Sequence, residues 1–215
     1  MFDQTRVNKI IRSLIISDFC LFFALGLLSP IFAVFILQNI ENKIAVIGYA
    51  VSCYWITRVI MVIPLSRLMD KLKGEFDEYS FMVIGTFLIS LIPLFYIVSS
   101  QPWHIYLLQI ANGLANSIAV PAWRILFTNH IDRKIVGFEW SLEDVGVGIA
   151  TALSAAIGAL VADKFGFNIL FVAVSFFGII GALILLTLNK SKKSILGELI
   201  NGKSDKAPLK IDTLK

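Results

Sequence analysis

Six stretches of this chain, at about 13–37, 44–66, 79–99, 103–127, 136–161 and 167–188, are each long and apolar enough to cross a lipid bilayer. No other feature limits the fold so strongly. The hydrocarbon core is about 30 Å thick and a helix rises about 1.5 Å per residue, so roughly 20 apolar residues span it. No water there satisfies a backbone N–H or C=O, and a single segment meets its own needs only as a helix. The expected fold class is therefore an all-α membrane protein with six transmembrane helices.

Composition agrees. Of 215 residues, 57% are hydrophobic and 16% charged, against about a quarter charged in soluble domains. The formal charge of +4 raises the question of nucleic acid. No basic run is interleaved with stacking aromatics, however, and no nucleic-acid partner is expected. Cys20 and Cys53 lie inside apolar spans and read as small buried hydrophobes, not as a disulfide or metal pair. His104 and His130 sit at span ends. Neither a nucleophile motif of intramembrane proteases nor a phosphate loop is visible, so no enzyme, no metal and no cofactor is expected. The first apolar stretch is too long for a cleavable signal and lacks a small-residue cleavage site.

The positive charges fall between the spans and set an orientation. With the N-terminus inside, Arg6, Lys9, Arg12, Arg67, Lys71, Lys73, Arg133, Lys134 and the seven lysines after residue 188 are cytoplasmic, and only Lys43 and Lys164 are outside. Cytoplasmic loops carry the excess of Lys and Arg, so both termini are expected in the cytoplasm of a cell, or bacterial inner, membrane. The domain reading is a cytoplasmic segment 1–12, a membrane domain 13–188, and a Lys-rich cytoplasmic tail 189–215 with a candidate interfacial turn at 195–200. The bilayer is the first partner.

Within the membrane domain the sequence repeats. Shifted by 91 residues, Pro30-Ile31-Phe32 lies over Pro121-Ala122-Trp123, and Ile40-Glu41-Asn42-Lys43-Ile44 over Ile131-Asp132-Arg133-Lys134-Ile135. Two residues are then inserted, and Asp70-Lys71 matches Asp163-Lys164, with Gly85 over Gly178. Repeats 13–99 and 103–188 thus each hold three helices. Three is an odd number of crossings, so the repeats are inverted relative to each other.

Polar groups inside spans are costly and face a cavity or a partner. Asp18, Arg58, Arg124, Glu139, Glu143 and Asp144 all fall in the cytoplasmic halves of their helices. Arg58 lies about 12 Å from the end of its span at residue 66, by helical rise, and Glu143 and Asp144 are at similar depth. That depth predicts a buried pair of Arg58 with one of them, and sets Arg124 level with Glu139. On helix 4, Gln109, Asn112, Asn116 and Trp123 share one face. Such a stripe lines a cavity or hydrogen-bonds a neighbouring helix. The repeat register puts Asp18, Leu21, Leu25 and Phe32 at the matching positions of helix 1. Helix 5 carries Gly146, Gly148, Ala152, Ser154, Ala155, Ala156, Gly158 and Ala159, small surfaces for close helix packing.

The stretch 109–171 resembles the fourth to sixth helices of the major facilitator superfamily. The residues that carry the likeness are Leu107-Leu108-Gln109-Ile110-Ala111-Asn112-Gly113-Leu114-Ala115-Asn116-Ser117, then Pro121-Ala122, Arg133 and Gly137, and Gly158-Ala159-Leu160-Val161-Ala162-Asp163-Lys164-Phe165-Gly166-Phe167. A second signature of that family, in the loop after helix 2, is half present. Asp70 and Lys71 match it, whereas Ser66 and Lys73 replace its two glycines and Glu75 stands at a basic position.

The resemblance implies a half-like unit of that fold, with helices 1 and 4 lining a central cavity. Cavity candidates are then Asp18, Ser29 and Phe32 on helix 1 and Gln109, Asn112, Asn116 and Trp123 on helix 4. Family members have two parallel six-helix halves, an arrangement that six helices reproduce as a C2 homodimer. The function implied is secondary active transport of a small solute by alternating access, with a carboxylate such as Asp18, Glu143 or Asp144 available for protons. The alternative is a non-transporting accessory or degenerate relative, suggested by the half-present loop motif.

Overall fold

The computed structural model of the protein describes residues 7–71 and 75–188. The tail 189–215, with the turn expected at 195–200, and the 72–74 part of the loop motif lie outside those residues. The elements are α1 (Lys9–Leu28), α2 (Phe32–Phe35), a π-helical turn (Ile36–Ile40), α3 (Ile44–Lys71), α4 (Glu75–Tyr96), α5 (Pro102–His130), α6 (Val136–Phe165) and α7 (Phe167–Thr187). Six of them are long and apolar enough to span a bilayer, and no strand occurs among the described residues.

Local chemistry explains the boundaries. Asn8 caps α1, its side chain accepting the Ile10 N–H at 3.1 Å. The first predicted span is broken where the sequence reads Ser29-Pro30-Ile31. Pro30 has no N–H to donate, so α1 stops and the chain resumes as α2 after a turn. Pro102 opens α5, where a missing N–H costs nothing. Gly166, with φ at 82° and ψ at 171°, adopts a positive-φ conformation essentially confined to glycine, which separates α6 from α7 without a longer loop. Both α3 and α6 run past their predicted ends, to Lys71 and Phe165.

Each helix finds its partner in the other triplet. α4 packs on α7; α4 also packs on α5 and α7 on α1; α3 lies on α5 and α6 on α1. Exchanging the two triplets maps this set of pairs onto itself. At the α3–α5 crossing the backbones meet at Gly113, where a Cβ would stand 2.6 Å from the Tyr54 carbonyl oxygen.

One end of the bundle bears Lys9, Arg12, Arg67, Lys71, Arg133 and Lys134; there Ile11, Leu14, Met69, Met82, Leu126, Phe127 and Leu185 form a core. The opposite end is closed by aromatics. Phe35 meets Phe171 edge-on at 4.8 Å, and Tyr96 and Phe167 complete the cluster.

The outer helices α3 and α6 are the least covered. Only 11% and 17% of their apolar windows are buried within the bundle, against 33% or more for the other four. The small residues of α6 divide accordingly. Ser154 and Gly158 are buried against α1, whereas Gly148, Ala152, Ala156 and Ala159 are exposed.

Candidate functional site: a polar cleft between α1, α4, α5 and α6

A cleft of about 230 Å³ lies between four helices. α1 contributes Asp18, Leu21, Phe22 and Leu25, residues three to four apart and so on one helical face. α5 contributes Asn116, Ala119, Val120, Trp123 and Arg124, by the same periodicity. Thr86 and Ile89 of α4 form its floor, and Trp140 and Glu143 of α6 close one side.

Two carboxylates, one guanidinium, one amide and three aromatic rings therefore share a small space in an otherwise apolar bundle. Among the described residues, no ion pair joins Asp18 or Glu143 to Arg124; Lys43 pairs with Glu41 in a loop. Asn116 is held back one turn, its Nδ2 donating to the Asn112 carbonyl and side-chain oxygens, each at 3.0 Å. Its side-chain oxygen stays available to the cleft. Trp123 stacks on Phe127 at 4.8 Å and meets Trp140 edge-on at 6.2 Å. The indole Nε1 of Trp123 is buried with no partner among the described residues. Such a set can hold a polar group against the carboxylates while apolar parts lie on the rings.

Of the residues expected from sequence, the cleft gathers Asp18, Asn116, Trp123, Arg124 and Glu143. The others lie elsewhere. Ser29 is exposed at the break after α1, and Phe32 packs on Tyr96 at 5.4 Å in the aromatic end cluster. Gln109 is buried further along α5, and Asn112 serves as the anchor of Asn116. Asp70 and Lys71 are exposed at the end of α3.

The expected pair of Arg58 with Glu143 or Asp144 is not made within the chain. α3 and α6 flank opposite sides of the cleft, on α5 and α1 respectively, which keeps their side chains apart. Arg58 instead donates from Nη1 to the Tyr54 hydroxyl at 2.9 Å, with its guanidinium 5.2 Å from the Trp55 ring centre. Asp144 is exposed on α6. Glu139, expected at the level of Arg124, makes no ion pair with it among the described residues. It is fully buried and accepts the Asp132 N–H at 2.8 Å, which ties the α5–α6 connection to the first turn of α6.

Sequence reasoning missed Phe22, Thr86 and Trp140. Trp140 was within reach, because it lies three residues before Glu143 and shares its face. Phe22 lies four residues after Asp18 and shares its face on α1 in the same way. Thr86 had no comparable signal, being one hydroxyl in an apolar helix outside the expected cavity pair.

Comparison with known proteins bears on the fold. A family model described as Major Facilitator Superfamily matches residues 14–211. Multidrug resistance protein MdtG of Enterobacter lignolyticus (strain SCF1) is 25% identical over 174 residues, which cover 78% of this chain and 40% of that protein. MdtG of Salmonella schwarzengrund (strain CVM19633) is 25% identical over 170 residues, with 76% and 40% covered. The chain thus spans about 40% of the length of these curated relatives. Among solved structures, the in meso crystal structure of the POT family transporter PepTSo superposes with a TM-score of 0.72 at 13% identity, covering 86% of this chain and 38% of that one. At that identity the likeness is one of fold.

Proposed function

The chain belongs to the Major Facilitator Superfamily, and from that premise we propose that it is a secondary active transporter of a small solute, working by alternating access. The observation that supports this reading is the cleft. Charged groups within spans cost several kcal/mol near the bilayer centre, and three of them, Asp18, Arg124 and Glu143, converge on one space beside Asn116. A purely structural bundle has no need of such a concentration.

In this reading Asp18 and Glu143 hold the polar end of the solute, Asn116 orients it, and Trp123 and Trp140 cover its apolar surface. Either carboxyl also exchanges a proton as the cleft changes the side it opens to, which couples the solute to a proton gradient. The wall facing α1 and α5 comes from a second copy of the chain, related by a two-fold axis along the membrane normal. The unit sits in the bacterial inner membrane with both chain ends in the cytoplasm. Single cysteines at Glu41, Gln101 and Gly166 are expected to react with an impermeant reagent added outside whole cells. One at Asp132 is not, and the opposite pattern reverses the orientation.

The transport reading is tested with purified protein in liposomes loaded with a pH-sensitive dye. A panel of amphipathic organic cations, anions and neutral solutes is presented under an imposed pH gradient. At least one solute class is expected to cause proton flux, abolished by Asp18→Asn and weakened about tenfold by Asn116→Leu, the scale of one lost hydrogen bond to a charged or polar ligand group. Folded wild-type protein that moves no solute and no protons overturns the reading.

A further inference from the structure

We propose that two copies of this chain meet through α3 of one and α6 of the other, held by an ion pair between Arg58 and the partner subunit's Asp144. This deepens the two-copy part of the proposed function and does not depend on transport.

The argument starts from what lipid is able to cover. An apolar helix face needs no protein neighbour in a bilayer, because acyl chains are as apolar as Leu. The exposed faces of α3 and α6 are not purely apolar. Arg58 has five N–H donors, and the structure gives its side chain one acceptor, the Tyr54 hydroxyl. Asp144 is exposed and makes no hydrogen bond or ion pair among the described residues. Each is a charge on a helix that the bundle leaves mostly uncovered, and each is costly against hydrocarbon.

The two charges are complementary in sign and alike in depth. Ser117 donates to the Arg58 carbonyl at 3.4 Å, so Arg58 lies beside the residue that follows Asn116. Asp144 directly follows Glu143. Asn116 and Glu143 both line the cleft, which places Arg58 and Asp144 at the depth of the cleft on its two flanks.

Symmetry then does the matching. α3 lies on α5 and α6 on α1, so a two-fold axis through the cleft sets α3 of each copy against α6 of the other, twice over. An isologous interface requires this reciprocity. The pair that cannot form within one chain forms between two. Shape permits the approach: Gly148 has nothing within 4 Å of a Cβ position, and the neighbouring exposed Ala152 is also small. Trp55 and Val59 on α3, 52% and 64% exposed, provide the apolar bulk to pack there.

The test uses charge reversal and co-expression of the full chain with two different affinity tags, in mild detergent and in lipid nanodiscs. Wild type is expected to be a dimer. Arg58→Asp alone places two acids opposite each other at both contacts, and Asp144→Arg alone places two bases there. Each is expected to lose dimer by tenfold or more, since like charges facing each other across an interface cost several kcal/mol. Co-expressed, the two variants regain both attractive contacts, so they should co-purify as a one-to-one dimer. The swap of both residues in one chain should dimerise with itself, which also shows that the altered chains fold. Single variants that dimerise like wild type overturn the pair and leave a two-copy unit standing. Single variants that are monomeric, with neither the mixture nor the swap restoring the dimer, overturn it as well. A wild-type monomer in nanodiscs overturns both the pair and the two-copy unit, and leaves transport to be judged by the flux measurement.

Discussion

α3 and α4 are nearly equal in mean hydropathy over their most apolar windows, at 1.7 and 1.8, yet 11% of one and 50% of the other is buried inside the bundle. The second triplet repeats the contrast more sharply. α7 is the most apolar helix at 2.9 and is 44% buried, whereas α6, at 2.1, is 17% buried. In water the more apolar segment goes inside because burial removes it from solvent. In lipid that force is absent between helices, and close packing and interhelical hydrogen bonds choose the neighbours instead. α4 and α7 have what this requires. Tyr79 of α4 donates to the Leu185 carbonyl of α7 at 3.1 Å, and Ser17 of α1 to the Gly181 carbonyl of α7 at 2.9 Å. α3 meets these terms against one neighbour, α5, whose Ser117 donates to the Arg58 carbonyl at 3.4 Å, while the Thr57 hydroxyl turns back to the Cys53 carbonyl of its own helix, at 2.8 Å.

The contrast breaks most visibly at glycine. A Cβ at Gly85 of α4 would stand 2.7 Å from the Ala119 backbone nitrogen of α5, while one at Gly48 of α3 meets nothing within 4 Å. Gly85→Val is expected to cost about 3 kcal/mol or more, the upper end for overpacking, because the obstacle is backbone. Gly48→Val should leave the six-helix unit unchanged. Thermal unfolding and monodisperse yield in detergent measure both. If the two variants lose stability equally, the packing difference between α3 and α4 is not real.

A smaller effect sharpens the same point through hydrogen bonds. Ser17→Ala removes a bond between two helices and is expected to cost about 0.6 kcal/mol, with about 1.7 as the ceiling. Thr57→Ala removes a bond within one helix, whose carbonyl keeps its backbone partner, and should fall below the scatter of the measurement. A reversal of that order in chemical or steric-trap unfolding would show that side-chain hydrogen bonds do not select the neighbours of α7.

Legibility in the sequence follows the same division. Asp18, Asn116, Trp123, Arg124 and Glu143 were readable because polar and amphipathic residues stand out in apolar spans, and their spacing puts them on single faces. Phe32 was drawn in by the repeat register and Gln109 by its helical face, although one packs in the aromatic end cluster and the other is buried away from the cleft. Depth along each helix predicted a pair of Arg58 with Glu143 or Asp144 that the chain does not make, because depth says nothing about which side of a neighbour a helix occupies. The small residues of α6 promised close helix packing, and α1 uses only one side of them.

The sequence alone determined the six spans and their order, because each spanning helix satisfies its backbone within its own segment and twenty apolar residues are enough to announce it. The tertiary structure alone decided that α3 leans on α5 and α6 on α1, and that Thr86 joins the cleft. Those choices are contacts between residues far apart in the chain. In a solvent as apolar as the helices themselves, only the fit of one surface to another distinguishes a neighbour from lipid.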